Sequence, residues 1–174
     1  MPRSLADGRT KFTILTTEPA NPAAPTAAEL NAGIDLSCNI LASDFTFGAT
    51  DSDKVQEKAL CTENNANAIG ASNYQAGVTA FRYFDATTKA ADVTGDDKGF
   101  QALKVKGTTI WAYARKTAKK SSEAWAATDE VYLGAEIVTD EPQAPSDQGG
   151  WLKFRVPMEV QAGYPFIAVA AGTP

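Results

Sequence analysis

Three stretches in the second half of the chain alternate strictly between two sets of residues, the period of a strand with one face buried. From Thr109 to Lys116, Ile110, Ala112 and Ala114 oppose Trp111, Tyr113 and Arg115. From Glu130 to Val138, Val131, Leu133, Ala135 and Ile137 oppose Tyr132, Gly134, Glu136 and Val138. From Trp151 to Gln161, Leu152, Phe154, Val156, Met158 and Val160 oppose Lys153, Arg155, Pro157, Glu159 and Gln161. Pro157 has no N–H for a ladder, so it predicts a free edge or a bulge at that point. A further strand, mostly apolar, is expected from Pro165 to Ala170.

The first half carries its own punctuation. Lys11 to Thr17 reads as a strand with Phe12 and Ile14 on one face, and the proline-rich run Glu18 to Pro25 as a loop. Thr26 and Glu29 have capping-box spacing, which starts a short helix over Thr26 to Ala32. Gly33 is expected to stop it, because glycine takes the left-handed conformation cheaply. A strand follows with Ile34, Leu36 and Cys38 on one face and Asp35, Ser37 and Asn39 on the other.

Residues 41–73 are polar and rich in asparagine, with short strands expected around Phe45–Phe47 and Lys54–Ala59. A loop this long in a compact domain is functional or disordered, and it reads as a projecting arm. Tyr74 to Asp85 is apolar on both faces and so covered on two sides. Asp96 or Asp97 then caps a helix of about three turns whose stripe holds Phe100, Leu103 and Ala102. Gly107 ends it. The sum is a mainly β chain: an antiparallel β-sandwich or small barrel with one flanking α-helix and a long projecting loop.

A chain of 174 residues with 44% hydrophobic and 21% charged content fits one soluble domain, 1–174. No apolar run approaches the length that spans a bilayer, so no membrane partner is expected. The start carries Arg3, Asp7, Arg9 and Lys11 without an apolar core, which predicts no secretory signal and folding in a cytoplasm. The net charge of −5 argues against a module that grips nucleic acid, since such affinity comes from neutralising phosphates. It leaves room for a protein past which DNA slides.

The chain has no histidine, which removes Ser-His-Asp and Cys-His catalysis and most zinc chemistry. Cys38 and Cys61 lack metal-ligand spacing and are expected as small buried apolar side chains; pairing across neighbouring strands is the sharper alternative. Asp96–Asp97 reads as a cap, and Asp51-Ser52-Asp53 lacks the further ligands of a calcium loop. Gly149–Gly150 is a turn, not a phosphate cradle. No catalytic, cofactor-binding or metal residue is assigned, and no enzyme activity is expected.

Charge is segregated along the sequence. Lys98, Lys104, Lys106, Arg115, Lys116, Lys119 and Lys120 are followed by Glu123, Asp129, Glu130, Glu136, Asp140, Glu141 and Asp147, with no mixing of sign. Solvated loop ends are the plain reading. Complementary patches that set head-to-tail assembly are the functional one.

The block Pro25-Thr26-Ala27-Ala28-Glu29-Leu30-Asn31-Ala32-Gly33-Ile34-Asp35-Leu36-Ser37 resembles the N-terminal segment of major tail tube proteins from long-tailed, non-contractile phages, especially those of actinobacteria. Asp53 to Cys61, Ser72 to Arg82, Gly107 to Trp111, Trp151 to Pro157 and Phe166 to Ala171 resemble later sections of that family in order. The resemblance implies a non-enzymatic virion protein that forms stacked, hexameric rings around a lumen through which DNA passes without specific binding. Its further partners would be the tape-measure, tail terminator and distal tail proteins, and it would need no cofactor.

Residues 1–10, 41–73 and 162–174 would then be inter-subunit arms. Lys116, Lys119, Lys120, Asp140, Glu141, Phe45 and Phe47 are the expected interface residues, with Asp35 and Glu136 facing the lumen. Three rivals share parts of the pattern. A tube protein of a bacterial injection system would have the same fold. A carbohydrate-binding β-sandwich would display Trp111, Trp125 and Trp151. A carboxylate hydrolase is the enzyme alternative.

Overall fold

In a computed structural model, residues 5–61, 63, 67–146 and 149–172 are described. The strands are β1 (Thr10–Leu15), β2 (Ile34–Asp35), β3 (Thr46–Thr50), β4 (Lys54–Gln56), β5 (Asn67–Ile69), β6 (Asn73–Phe81), β7 (Thr109–Lys116), β8 (Glu130–Thr139) and β9 (Lys153–Ala168). The helices are α1 (Ala27–Ala32) and α2 (Lys98–Leu103). Seven strands form one antiparallel sheet in the order β2-β1-β7-β8-β9-β6-β3, while β4 and β5 pair only with each other. The protein is therefore mainly β, and its main sheet rolls on itself.

The roll can be measured. β1 and β3 stand five strand spacings apart, which in a flat sheet is roughly 24 Å. Yet the Phe12 ring of β1 lies 5.1 Å from both the Phe45 and the Phe47 rings, packed edge-on. The inner face holds Phe12, Ile14, Val78, Ile110, Leu133, Ile137, Val156 and Met158, and α2 adds Phe100 and Leu103. The seam between the margins is crossed by residues 36–41. Leu36 N–H donates to Phe12 O on one side, and Leu41 N–H donates to Thr79 O on the other. The strand expected through Asn39 stops at Asp35 because the chain leaves one margin for the other.

The sheet is covered on its outer face too, where Leu15, Leu30, Tyr113, Trp125, Val131 and Val169 form a second cluster beneath α1. The capping box of α1 is present: the Glu29 N–H donates to Thr26 Oγ1 (3.2 Å), and the Thr26 N–H donates to the Glu29 carboxylate (2.7 Å). Gly33 is glycine for a reason other than the expected one. Its φ is −69°, an ordinary value, but a Cβ there would lie 2.5 Å from Leu15 Cδ2 and 2.8 Å from Ile14 O. Close approach of α1 to β1, not a left-handed turn, excludes a side chain.

Other expectations change in detail. α2 has six residues, not three turns, and Asp97 at its start caps nothing with its side chain. That carboxylate instead accepts from Arg82, from the Tyr83 N–H and from Gln101. The two expected C-terminal strands are one, β9, continuous across a bulge opposite Glu136/Ile137. Pro157 lies in this central strand, opposite Gly77 of β6. Its carbonyl accepts from the Asp140 N–H, just past the end of β8, so the missing donor falls where the neighbouring ladder has run out. Cys38 and Cys61 are exposed and lie in turns, not buried in strands.

The arms expected at the two ends are bound to the body as far as they are described. Ser121 N–H donates to Gly8 O, and residues 162–168 belong to β9. The Ala170 N–H donates to Pro25 O. Residues 1–4, 173 and 174 lie outside the described residues, as do 62 and 64–66 of the middle arm. No helix among the described residues is long and apolar enough to cross a membrane.

Gly33→Ala should destabilise the fold by about 1–3 kcal/mol, since overpacking against Leu15 and backbone cannot relax cheaply. Thermal melting checks it: a change smaller than that of a control at exposed Ala28 contradicts the close-approach explanation.

Candidate functional site

For a protein with no catalytic constellation, the candidate sites are the surfaces left open. The loop between β7 and β8 carries most of the predicted charged interface. It is built around Arg115, which is fully buried on the outer face of β7. Its guanidinium donates to the carbonyls of Lys120, Glu123 and Ala124 and to Asp129 Oδ2 at 2.8 Å. Trp125 covers it, with the ring centre 5.2 Å from Cζ, and the indole N–H donates to Thr13 Oγ1.

The Asp129 carboxylate is also paired with Lys119 and accepts from the Ala126 N–H. Burial alone would push this carboxyl up. The hydrogen bonds from Lys119, Ala126 and Arg115, with the charge of Lys119, outweigh it and hold the group below the usual carboxylate range.

The segregated charges therefore meet within one subunit. Antiparallel pairing of β7 with β8 sets the residues flanking one strand beside those flanking the other, so Lys119 reaches Asp129 at the hairpin end, and Lys106 reaches Asp140 at 3.0 Å at the far end. Lys119 and Asp140 are engaged in this way. Lys116 lies 4.6 Å from the Tyr132 ring. Lys116, Lys120 and Glu141 are exposed and form no ion pair among the described residues.

Phe45 and Phe47 are a correction. Phe47 is buried and Phe45 half-buried in the subunit's own core, since β3 begins at the seam rather than in the arm. Asp35 and Glu136 do share a face, the outer one. Asp35 stands opposite Thr13, and Glu136 stands opposite Trp111. Asp35 is paired with Lys11 and accepts from the Ser37 N–H and hydroxyl. Burial works against its charge, but these partners lower its pKa on balance. Glu136 is half-buried.

The three tryptophans do not form one ligand-binding face. Trp111 and Trp125 pack in the outer cluster, while Trp151 is exposed beside Phe84 and Tyr83. Sequence reasoning missed Arg115. Its signal was its place on a strand whose other outer-face residues, Trp111 and Tyr113, are large and apolar.

Of residues 41–73, expected as an arm, β3 belongs to the main sheet, and β4 and β5 form a separate two-stranded ribbon. Every residue of β4 and β5 is exposed. The base of this ribbon is tied by Asp53 N–H to Ala71 O, Gly70 N–H to Asp53 O and the Asn73 side-chain amide to Asp51 O. At its foot β3 ends the sheet, so its outer side has no strand partner among the described residues.

The subunit thus combines a rolled antiparallel sheet, a β3 edge with no outer strand partner among the described residues, and an exposed ribbon. The chain belongs to the phage tail tube protein family, whose sequence profile matches residues 1–173. It is a structural protein of the virion tail that assembles into a tube. Comparison with curated proteins and with solved structures gave no match.

Asp129→Asn should lower stability at neutral pH by about 3 kcal/mol, as it uncouples a buried guanidinium from its carboxylate. The folded pKa of Asp129 is lowered, so its contribution is complete above the unfolded value of about 4 and fades as pH falls through the folded one. Melting temperatures from pH 7 to 2 should therefore fall less steeply in the variant than in the parent. Parallel curves would remove Asp129 from the acid response.

Proposed function

We propose that copies of this chain close into rings, six to a ring, and that the rings stack into the conduit by which the genome leaves a long, non-contractile tail. The carrying observation is the margin at β3: a rolled sheet whose last strand has no partner on its outer side among the described residues, beside an exposed ribbon whose two strands pair only with each other. A strand edge of this kind invites addition of a neighbour's strand, and a heterologous contact that closes makes a ring. The number six rests on the family resemblance. The role is structural, not enzymatic.

Lys116, Lys120 and Glu141 are the charges left to set register between copies, with Lys119 and Asp140 acting through their internal pairs. Asp35 and Glu136 contribute to an acidic lumen wall, which offers phosphates no counterion-release gain and lets DNA slide. The tape-measure protein would lie inside, with the terminator and distal tail proteins at the two ends. Assembly takes place in the host cytoplasm.

Negative-stain microscopy of concentrated protein should show rings or hollow filaments. A persistently monomeric protein would defeat the proposal. Glu136→Lys should leave tube assembly intact and slow genome release several-fold in a phage carrying it, measured as DNA ejected over time; unaltered kinetics would take Glu136 out of the lumen.

A further inference from the structure

Phe166 carries its side chain on left-handed backbone, at a φ of 49°, inside β9. The position has a structural task. To one side of it Leu133 stands opposite Pro165 and belongs to the inner core. To the other side Val131 stands opposite Ile167, and both pack in the outer cluster. One left-handed residue lets the strand pair change faces there. Glycine would do so without strain, whereas a bulky side chain on such backbone costs free energy. Burial in its own subunit does little to offset that cost. The ring meets Tyr132 edge-on at 5.6 Å and is still 69% exposed.

The ring belongs to a continuous surface. Lys116 Nζ lies 4.6 Å from the centre of the same Tyr132 ring. Lys116 also lines a groove of about 310 Å³ with Arg9 and Leu5, and Leu5 is 78% exposed. Arg9 and Lys116 form no ion pair among the described residues. The Tyr132 hydroxyl, in turn, lies against Gly48 of β3, 2.8 Å from where a Cβ would stand. Gly48 thus joins this surface to the strand whose outer side has no partner among the described residues.

We propose that Phe166 is an anchor between copies of this chain: it packs against the copy that joins the β3 edge, with Arg9 and Lys116 set toward that copy's carboxylates. The inference rests on the tube reading above and adds the side chains that hold the lateral contact. Two observations select a second copy as the occupant. The surface is continuous, through Tyr132 and Gly48, with the edge at which a neighbour adds its strand. It is also basic and apolar in a chain with 21 acidic and 16 basic residues, so a second copy brings the opposite sign. A large ring beside paired-off charges is the composition in which a few residues carry most of a contact's affinity.

Phe166→Gly removes the ring and the backbone strain together, which separates the two roles the residue could have. For an anchor, the protein concentration needed for tube assembly should rise about tenfold, while the melting temperature of the unassembled subunit holds or rises. A lower melting temperature with unchanged assembly would mean that the ring serves only its own fold, and would overturn the proposal.

The occupant is read directly by placing p-benzoylphenylalanine at 166 and co-assembling that variant with an excess of the parent chain. Irradiation should give covalent dimers of two copies, absent when the same mixture is irradiated below the assembly concentration. Tubes that give no dimers would overturn the anchor and leave the tube function standing. So would crosslinks in phage particles that run to DNA or to a different tail protein instead. A parent chain that forms no tubes at all would remove both.

Discussion

The contact of Phe12 with Phe45 and Phe47 converts a seven-stranded sheet into a closed container, and most of the remaining structure follows from it. Without it the inner face of β7, β8 and β9 would lie open, and aliphatic residues at nearly every second position would meet water. With it, β1 and β3 are brought together, and residues 36–41 step across the gap carrying Leu36 into the core. α2 packs against β2 and β6, on the two sides of the seam, and adds Phe100 and Leu103 to the core. The aromatic pairs add a preference for edge-on geometry to the apolar area they bury.

The second face of the sheet has a different logic. Arg115 is buried where an apolar residue would serve packing equally well, but it satisfies three loop carbonyls and one carboxylate at once. Removing a buried charge of this kind leaves orphaned partners, so the group fixes one conformation of the 117–129 loop more than it adds raw stability. A loop fixed in this way holds Lys120 at one position in every copy, beside Lys116 at the end of β7.

Particular residues explain what the sequence disclosed. The extents of β7 and β8 were legible almost to the residue, because period-two alternation of Ile110, Ala112, Ala114 and Leu133, Ala135, Ile137 has one physical cause. Val131, however, expected on the face of Leu133, packs in the outer cluster, and Tyr132 packs against the inner one. The α1 cap was legible because Thr26 and Glu29 act locally. Gly33 was located correctly, but its cause was long-range, the body of β1 beneath it. Asp97 likewise sits where a cap belongs, yet Arg82, brought in by β6, outcompetes the helix for it. Phe45 and Phe47 looked like arm residues because the seam they fill joins strands far apart in the chain. The charge blocks were read as contacts between copies because strand pairing, which brings Lys119 to Asp129, is invisible to a one-dimensional tally of signs.

A tube needs two unlike kinds of contact, one that closes a ring and one that adds the next ring. On the proposed reading the first falls to the edge of β3, because a hydrogen-bond ladder is directional and fixes the angle between neighbours. β4 and β5 pair only with each other and stand outside the main sheet, so a ladder built on β3 leaves them unengaged. A subunit of this kind keeps its sheet edge and its exposed ribbon as separate surfaces, and closing a ring through the one does not consume the other.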